Sequence, residues 1–355
     1  MIELLPWTAF SRVEPLLATS GHAEGLPGWY AALAETTLAA DEVPAFAIAG
    51  TNAVLPVAKG RFGLRALTAP YTTQYVPYVP DVTLAYKLGR ELSQFAGGRL
   101  ALDGLNGADP AIAQLVQGLR GGMAVASFEG FANWSEPVAT FASYWQRRPS
   151  KLRSTVRRKS AAPSTFHYFA RGSADALAAY EEVRASSWKG PEPHPGFLAS
   201  LIRHLAPAIR IGLLEMDGRI AAAQIWLVHG GRATIFKLVH RADAVAQSPG
   251  TVLTRAMIER CMAEDRVILL DFGRGDDGYK RDWMGVRTTR LGVIAGDWHH
   301  LRGLRTIATE ILPTWAGARW RHLTKKRDGS VAAPEIEVLA DGVGEGTVRS
   351  ADVQL

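Results

Sequence analysis

The chain is poor in cysteine: its 355 residues hold one, Cys261. A single thiol builds neither a disulfide framework nor a cysteine-based metal site. Cys261 falls at an apolar helix position, where a buried and inert thiol is the expectation. Metal-ligand spacing is missing too. His194, His229, His240, His299 and His300 show no ligating pattern, and the adjacent pair at 299–300 is not a site by itself. No metal is expected. No apolar run approaches the roughly 18 residues that a membrane span needs. The first residues, Met1 to Trp7, lack a basic stretch and carry an early acid. No signal peptide is therefore expected, and the cytoplasm is the default compartment. A strong excess of one charge is also absent. The net charge is +6, with 21% charged and 47% hydrophobic residues. That balance supports a normal core and tolerates anionic ligands. A nucleic-acid binder more often clusters its charge with interleaved aromatics, so nucleic acid is not an expected partner.

What is present is an α/β pattern that occurs twice. Gly28-Trp-Tyr-Ala-Ala-Leu33 opens a helix running to about Ala40. Short strands are predicted at 45–49 and 53–58, with a third at 64–67. An aromatic, proline-punctuated loop spans 69–80. A helix over 82–95 and a strand over 99–103 follow. The second half repeats this order. Gly196 opens a helix, and strands are predicted at 210–216, 220–229 and 233–240. Asp217-Gly218 and Gly230-Gly231 are hairpin turns between those strands. A loop at 247–250, a helix over 251–263 and a strand over 266–271 complete the repeat. Gly28 to Asp103 and Gly196 to Asp271 are both separations of 75 residues. Arg-x-x-Leu-Asp ends one unit and Arg-x-x-x-Leu-Asp the other, which reads as a duplicated unit. The expected fold is α/β, with two tandem units of mixed, mostly antiparallel sheet flanked by helices.

The junction between the units falls between about Ala139 and Pro163. Arg147, Arg148, Lys151, Arg153, Arg157, Arg158 and Lys159 sit there without an acid. Phe141, Trp145, Leu152 and Val156 fall near helical spacing on another face, with Pro149 breaking or restarting the helix. One reading is a linker helix with a solvated basic face. The other is that some of these arginines meet cofactor phosphates or an anionic carrier. After Asp271 the chain is read as a loop, a short helix around 279–284, a strand at 288–295 and a Trp-rich helix from Leu304 to about Leu323. Residues 328–355 hold six acids and one base, and read as an acidic tail.

The stretch Gln247-Ser-Pro-Gly-Thr-Val-Leu253 carries the chemistry. A helix N-terminus offers unpaired N–H groups and partial positive charge, which favours phosphate. Gly250 lets the backbone approach a ligand, Pro249 stiffens the approach, and Thr251 can cap the helix or donate to an oxygen. An ordinary loop entering an ordinary helix would look much the same. In context, three antiparallel strands before it and a helix and strand after it, the stretch resembles the pyrophosphate loop of the GNAT acyltransferase superfamily. There a Gln/Arg-x-x-Gly-x-Gly/Ala loop cradles coenzyme A; here Val252 stands at the last small position. The segment from Asp271 to Trp283, Asp-Phe-Gly-Arg-Gly-Asp-Asp-Gly-Tyr-Lys-Arg-Asp-Trp, together with the Ser-Pro-Gly loop, is similar to the CelD-like branch of that superfamily. The basic run over 151–158 resembles the segment that opens the branch's domain. That branch is associated with polysaccharide and cell-envelope biosynthesis. The likeness covers about residues 145–300, and extends more weakly over the first half, where a duplicated unit would sit as in Fem-type transferases.

The resemblance implies a degenerate unit at 1–145, a catalytic unit at 146–323 and the tail at 324–355. It implies acyl-CoA, with acetyl-CoA expected first, bound by Gln247, Ser248, Pro249, Gly250 and Thr251, with Arg274 and Lys280 on phosphate or a substrate carboxylate. Tyr279 is the candidate general acid for the departing thiolate, and Asp271 the candidate base for the amine. Asp276 and Asp277 are weaker alternatives for the base. Tyr71, Tyr75 and Tyr78 are candidates for lining the acceptor cleft. Their loop has no glycine where the second half has Gly250, so the first unit is expected to bind no cofactor. The expected acceptor is a small-molecule amine, an amino sugar or another envelope precursor. Two other readings stay open. The donor can be an aminoacyl-tRNA or an acyl carrier protein, as in Fem-type and other relatives, or the chain can be a non-catalytic scaffold.

Overall fold

The computed structural model describes residues 2–49, 52–187 and 189–317. Six strands lie in the first half: β1 (Ile2–Pro6), β2 (Val43–Ala49), β3 (Ala53–Gly60), β4 (Gly63–Ala66), β5 (Arg99–Asn106) and β6 (Ala124–Pro137). Six lie in the second: β7 (Thr165–Phe169), β8 (Ile209–Met216), β9 (Arg219–His229), β10 (Arg232–His240), β11 (Leu269–Arg274) and β12 (Val286–Gly296). The helices are α1 (Phe10–Leu17), α2 (Pro27–Thr36), α3 (Val82–Leu92), α4 (Pro110–Arg120), α5 (Phe141–Gln146) and α6 (Ser150–Lys159) in the first half and at the junction. They continue as α7 (Ala174–Ala185), α8 (Phe197–Leu205), α9 (Pro249–Glu264), α10 (Lys280–Trp283) and α11 (Leu301–Thr306).

The strands form one sheet in the order β1-β2-β3-β4-β5-β12-β6-β11-β10-β9-β8-β7. Read from either edge, each strand finds the strand six places on in sequence at the equivalent position. The parallel pairs are equivalent as well: β4 with β5, and β10 with β11. The tandem repeat read from the sequence is thus present in the topology. The halves differ from two self-contained sheets at one point. β6, from the first half, pairs with β11, and β12, from the second half, pairs with β5. β6 and β12 then pair with each other from Val286↔Ser135 to Gly296↔Ala124. Each half hands its last strand to the fifth strand of the other. This exchange leaves no unpaired edge in the middle of the sheet, where unmet N–H and C=O groups would be costly.

Helices cover both faces, so the inner strands read as continuous apolar runs. β9 is the clearest case, with Ala221 to Val228 all buried. On α9, Leu253, Met257 and Cys261 are fully buried at i, i+4 and i+8, one stripe of a helix. Burial pushes the Cys261 thiol up to about 12, which makes it inert at neutral pH. Pro149 ends one helix and opens the next. α6 follows it and buries Leu152 and Val156 in the cluster that also contains Val252 and Leu253 of α9.

Some boundaries differ from the expectations. The helix expected over 28–40 is α2, which starts at Pro27 and stops at Thr36. The strand expected over 266–271 begins later, at Leu269, because Arg266 adopts a left-handed φ of 51°. It continues to Arg274, so Asp271 sits inside the strand instead of ending it. The Trp-rich helix starts at Leu301 and passes through a π turn at Ile307–Ile311. Its part beyond 317 and the acidic tail lie outside the described residues. Among the described residues no helix is long and apolar enough to cross a membrane.

Candidate functional site

β10 and β11 run together for three residue pairs only, ending at Thr234↔Asp271. Beyond that point β10 pairs with β9 alone, and β11 with β6. The sheet therefore opens between Ile235–His240 and Phe272–Arg274. The helix N-terminus of α9 stands at this opening.

Ser248 enters α9 with φ 52° and no side-chain cap. Its carbonyl accepts from the N–H groups of Thr251 and Val252 at 3.1 and 3.2 Å. Pro249 has no N–H to donate, so among the described residues the Gly250 N–H is the orphan donor of the first turn. A Cβ on Gly250 would meet only ordinary contacts, 3.5 Å from Leu238 and 3.6 Å from His240. Packing alone does not require glycine there. What a larger residue would fill is the cleft in front of it, about 370 Å³. Leu238 and His240 of β10 line one side, Ser248 to Thr251 the end, and Tyr279 and Trp283 the other side.

Tyr279 precedes α10 at the cleft wall, and the residue is 47% exposed. Burial of the hydroxyl, followed by the nearby Asp277, pushes it up to about 12. It therefore keeps its proton at neutral pH and can donate a hydrogen bond into the cleft. Trp283 lines the same cleft, and both rings lie against Phe272. The Trp283 carbonyl accepts from the Tyr144 hydroxyl at 3.0 Å and from the Arg148 guanidinium, and Arg148 is fixed in turn by Glu136 at 2.9 Å.

The remaining sequence candidates are placed elsewhere. Asp271 is fully buried and already engaged. Its Oδ2 accepts from Arg232 at 2.7 Å, and its Oδ1 from the Gly273 N–H at 2.7 Å and Asn133 Nδ2 at 3.1 Å. The left-handed φ of Gly273, 60°, lets its N–H turn back onto the carboxylate. Arg290, also buried, lies 4.0 Å away. The position inside the strand is why Asp271 serves the sheet and is not at the cleft mouth. Lys280 is buried and donates to the carbonyls of Arg274 at 2.7 Å and Gly275 at 3.4 Å, which locks the β11–α10 loop. Burial lowers its pKa. Arg274 lies over the Phe131 ring at 4.1 Å. Gln247 is exposed and lines a separate depression beside Arg219 and Arg241. Asp276 is held down at about 2 by Arg287 and by the Trp134 indole, and is a poor base. Among the described residues no cluster of His, Cys, Asp and Glu suits a metal ion.

The three tyrosines divide. Tyr75 is buried, and its hydroxyl donates to the Pro56 carbonyl at 2.7 Å, so it belongs to the first-half core. Tyr78 forms a backbone bridge with Val54. Tyr71 faces the second half. Its ring stacks on Phe197 at 4.6 Å, Lys237 Nζ sits 4.2 Å over it, and its hydroxyl accepts from the His194 N–H at 3.1 Å. Alternation along β10 puts Lys237 on the face opposite Leu238 and His240. Glu192 holds Lys237 at 2.8 Å. His240 and Trp283, which line the cleft, and Lys237 and Glu192, which pair beside Tyr71, were not among the candidates read from the sequence. The period-2 pattern of β10 held the signal for His240 and Lys237. Glu192 lies in a loop with no pattern to read.

The site is thus an open parallel pair with an uncapped helix N-terminus at its mouth. Residues 146–281 match the family model described as an acetyltransferase (GNAT) domain, and the chain carries a domain of that family. It is an acyltransferase by that domain. Solved structures show the same fold at low identity. FemX aligns with a TM-score of 0.60 at 10% identity, covering 85% of this chain and 98% of its own. L-PGS from Bacillus licheniformis aligns at 0.56 and 14%, covering 87% and 96%. The C-terminal domain of a putative lysylphosphatidylglycerol synthetase from Agrobacterium fabrum aligns at 0.55 and 14%, covering 81% and 92%. No curated protein matches the chain.

Proposed function

We propose that the chain transfers an acyl group, acetyl first, from acyl-CoA to an amine acceptor in a ternary complex. The observation that carries the reading is the single cleft that brings Ser248 to Thr251, the open edge of β10 and Tyr279 together. The pyrophosphate would sit at the α9 N-terminus, where the Gly250 N–H and the helix dipole face it. The pantetheine arm would run into the opening between β10 and β11. Backbone N–H groups of the open strand would polarise the thioester carbonyl. The acceptor would approach from the Tyr71, Lys237 and Glu192 face. Its amine attacks the carbonyl carbon, the C–S bond breaks, and the Tyr279 hydroxyl hydrogen-bonds or protonates the departing thiolate. Asp271 is engaged in the sheet, and Glu192, paired with Lys237 at 2.8 Å on the acceptor face, would be the candidate to take the amine proton. An acceptor from polysaccharide or cell-envelope synthesis fits the CelD-like resemblance.

A second reading keeps the fold and replaces the donor with an aminoacyl-tRNA or an acyl carrier protein. The exposed cations of α6 favour it. The test is calorimetric titration of acetyl-CoA and coenzyme A into the protein and into Gly250→Glu. Micromolar binding that disappears in the variant supports the acyl-CoA reading. No binding in the parent protein overturns it. Strongly salt-dependent tRNA binding in its place would favour the second.

A further inference from the structure

The helix that starts at Leu301 carries two apolar faces. Its inner one, Ile307 and Ile311, packs with Ala124, Ala126 and Ile294 of the β6–β12 pair. Gly303 lets it lie close, since a Cβ there would collide with the Asp297 carbonyl oxygen. The outer face is uncovered. Leu301 is 86% exposed, Leu304 45% and Leu312 50%, and Trp298, just before the helix, is 51% exposed. The three leucines interleave with the buried Gly303, Thr306, Ile307 and Ile311, so they stand on the side away from the sheet. Phe62, in the turn between β3 and β4, is exposed as well. Single apolar residues on a surface are ordinary, whereas a contiguous group marks an interaction site.

Cations flank this row. A cavity of about 500 Å³ is lined by Arg61 and Phe62 of the β3–β4 turn, by Arg99, and by Arg302, Arg305 and Thr309 of the helix. The acid at its wall, Glu310, already accepts from Arg99 at 2.8 and 2.9 Å. Arg61 lies 3.3 Å from Asp41. Arg302 and Arg305 have no carboxylate partner among the described residues. The sequence continues the same composition: Arg319, Arg321, Lys325, Lys326 and Arg327 all precede the next acid, Asp328.

We propose that this surface docks on an anionic lipid membrane, with Trp298 and the leucines at the acyl boundary and lipid phosphates on Arg61, Arg302 and Arg305. An apolar stripe bordered by arginine, with tryptophan at its end, is the composition that lies in a membrane interface. Charge and shape favour lipid over the other occupants. A second copy across a two-fold axis would set the arginines against themselves. Nucleic acid would use the cations, but it stacks its bases on aromatic rings and offers nothing to three leucines. The surface is also remote from the donor cleft. Gly296 pairs with Ala124 and Asp271 with Ser135, so the start of the helix and the opening of the sheet are separated by roughly 35 Å along β6. Docking here is independent of which donor the cleft takes.

The test is co-sedimentation of the full chain with vesicles of phosphatidylcholine alone and of an equal mixture with phosphatidylglycerol. The parent should bind the mixed vesicles at least ~10-fold more tightly than the neutral ones, and added salt should weaken that binding. Arg302→Gln/Arg305→Gln and Leu301→Ser/Leu312→Ser should each lose about tenfold on the mixed vesicles. All four side chains are exposed, so melting temperatures should stay near the parent and serve as the folding control. No binding by the parent, or binding that neither variant weakens, overturns the proposal. Loss in the arginine variant alone overturns it too: that result would mark a general polyanion site, which tRNA binding by the leucine variant would read. Self-association of the parent that the leucine variant abolishes would assign the row to a second copy and likewise overturn it.

Discussion

Asp271→Asn separates a catalytic carboxylate from a structural one. The substitution keeps the shape and removes the charge. The new side-chain amide could still accept from the Gly273 N–H through its oxygen. Its NH2 group would then face the Arg232 guanidinium at the 2.7 Å position where Oδ2 now accepts. Arg232 and the buried Arg290 would lose their shared counter-ion. Removing one partner of a buried ion pair costs about 3–5 kcal/mol, because the remaining charge is left uncompensated. For a unit of this size, at roughly 2 °C per kcal/mol, the melting temperature should fall by roughly 6–10 °C. Activity measured well below that temperature should stay within about threefold of the parent, whereas loss of a general base typically removes about 10²-fold or more. Scanning calorimetry with initial-rate kinetics reads both. In an Arg232→Gln background the stability effect should shrink, since part of the pair is already gone. A variant with unchanged melting and a rate lowered about a hundredfold would refute the structural account and return Asp271 to the role of base.

The other expectations concern separate groups. Gly250→Ala should melt at or slightly above the parent, because its Cβ meets only 3.5–3.6 Å contacts and alanine loses less entropy on folding. It should bind acetyl-CoA more weakly, and unchanged affinity would remove the cleft argument. Tyr279→Phe should lower kcat about 10²-fold with acetyl-CoA affinity retained; full turnover would place the acid elsewhere. Glu24 is buried, and burial raises its pKa from 4.5 to about 7 against the opposing bonds from Thr73 and Gln74. Its folded pKa is raised, so its contribution is fully present below about pH 4.5 and is lost as pH rises toward 7, by up to roughly 3 kcal/mol. Urea titrations across that range should show this decline in the parent and not in Glu24→Gln; parallel pH profiles would contradict it.

The fold was legible where periodicity or turn chemistry was strong. The hairpins at 217–218 and 230–231, the α9 stripe and the Pro149 restart all follow from local rules. β6 was not read at all, and no element was assigned between 104 and 138. Its fourteen residues mix Phe, Gly, Asn and Trp with acids because it spans two environments, pairing with β12 along its length and with β11 at one end. No local pattern announces a strand that belongs to the other half. The same exchange explains the misplaced role of Asp271. From sequence it closes a strand at a site mouth. In the sheet it lies where β10, β11 and β6 meet, and Asn133 of β6 reaches it from a half that the repeat pattern assigned elsewhere. Lys280 and Arg274 show a further limit. A basic residue read beside a helix N-terminus looks like a ligand, yet one caps carbonyls and the other covers a phenyl ring.

The repeat also shows why one half is open and the other is not. Both halves have a parallel pair that parts after a few residues, and both have a helix that follows the fourth strand. In the first half the gap is filled by the chain itself. The loop after β4 returns along it, with the Tyr75 N–H donating to the Gly104 carbonyl at 2.8 Å and Tyr78 paired to Val54. Thr68 donates to Asp103 at 2.5 Å, so the residue equivalent to Asp271 is tied to the same loop. The helix that follows, α3, is capped by Asp81, whose carboxylate accepts from the Thr83 and Leu84 N–H groups. Its N-terminal donors and positive end are thus satisfied by a built-in anion. In the second half the connecting segment stays clear of the gap, and Ser248 enters α9 without a side-chain cap. One sequence difference, a tyrosine-rich loop ending in aspartate against a short loop ending in Ser-Pro-Gly, separates a sealed helix N-terminus from an uncapped one that faces an open cleft.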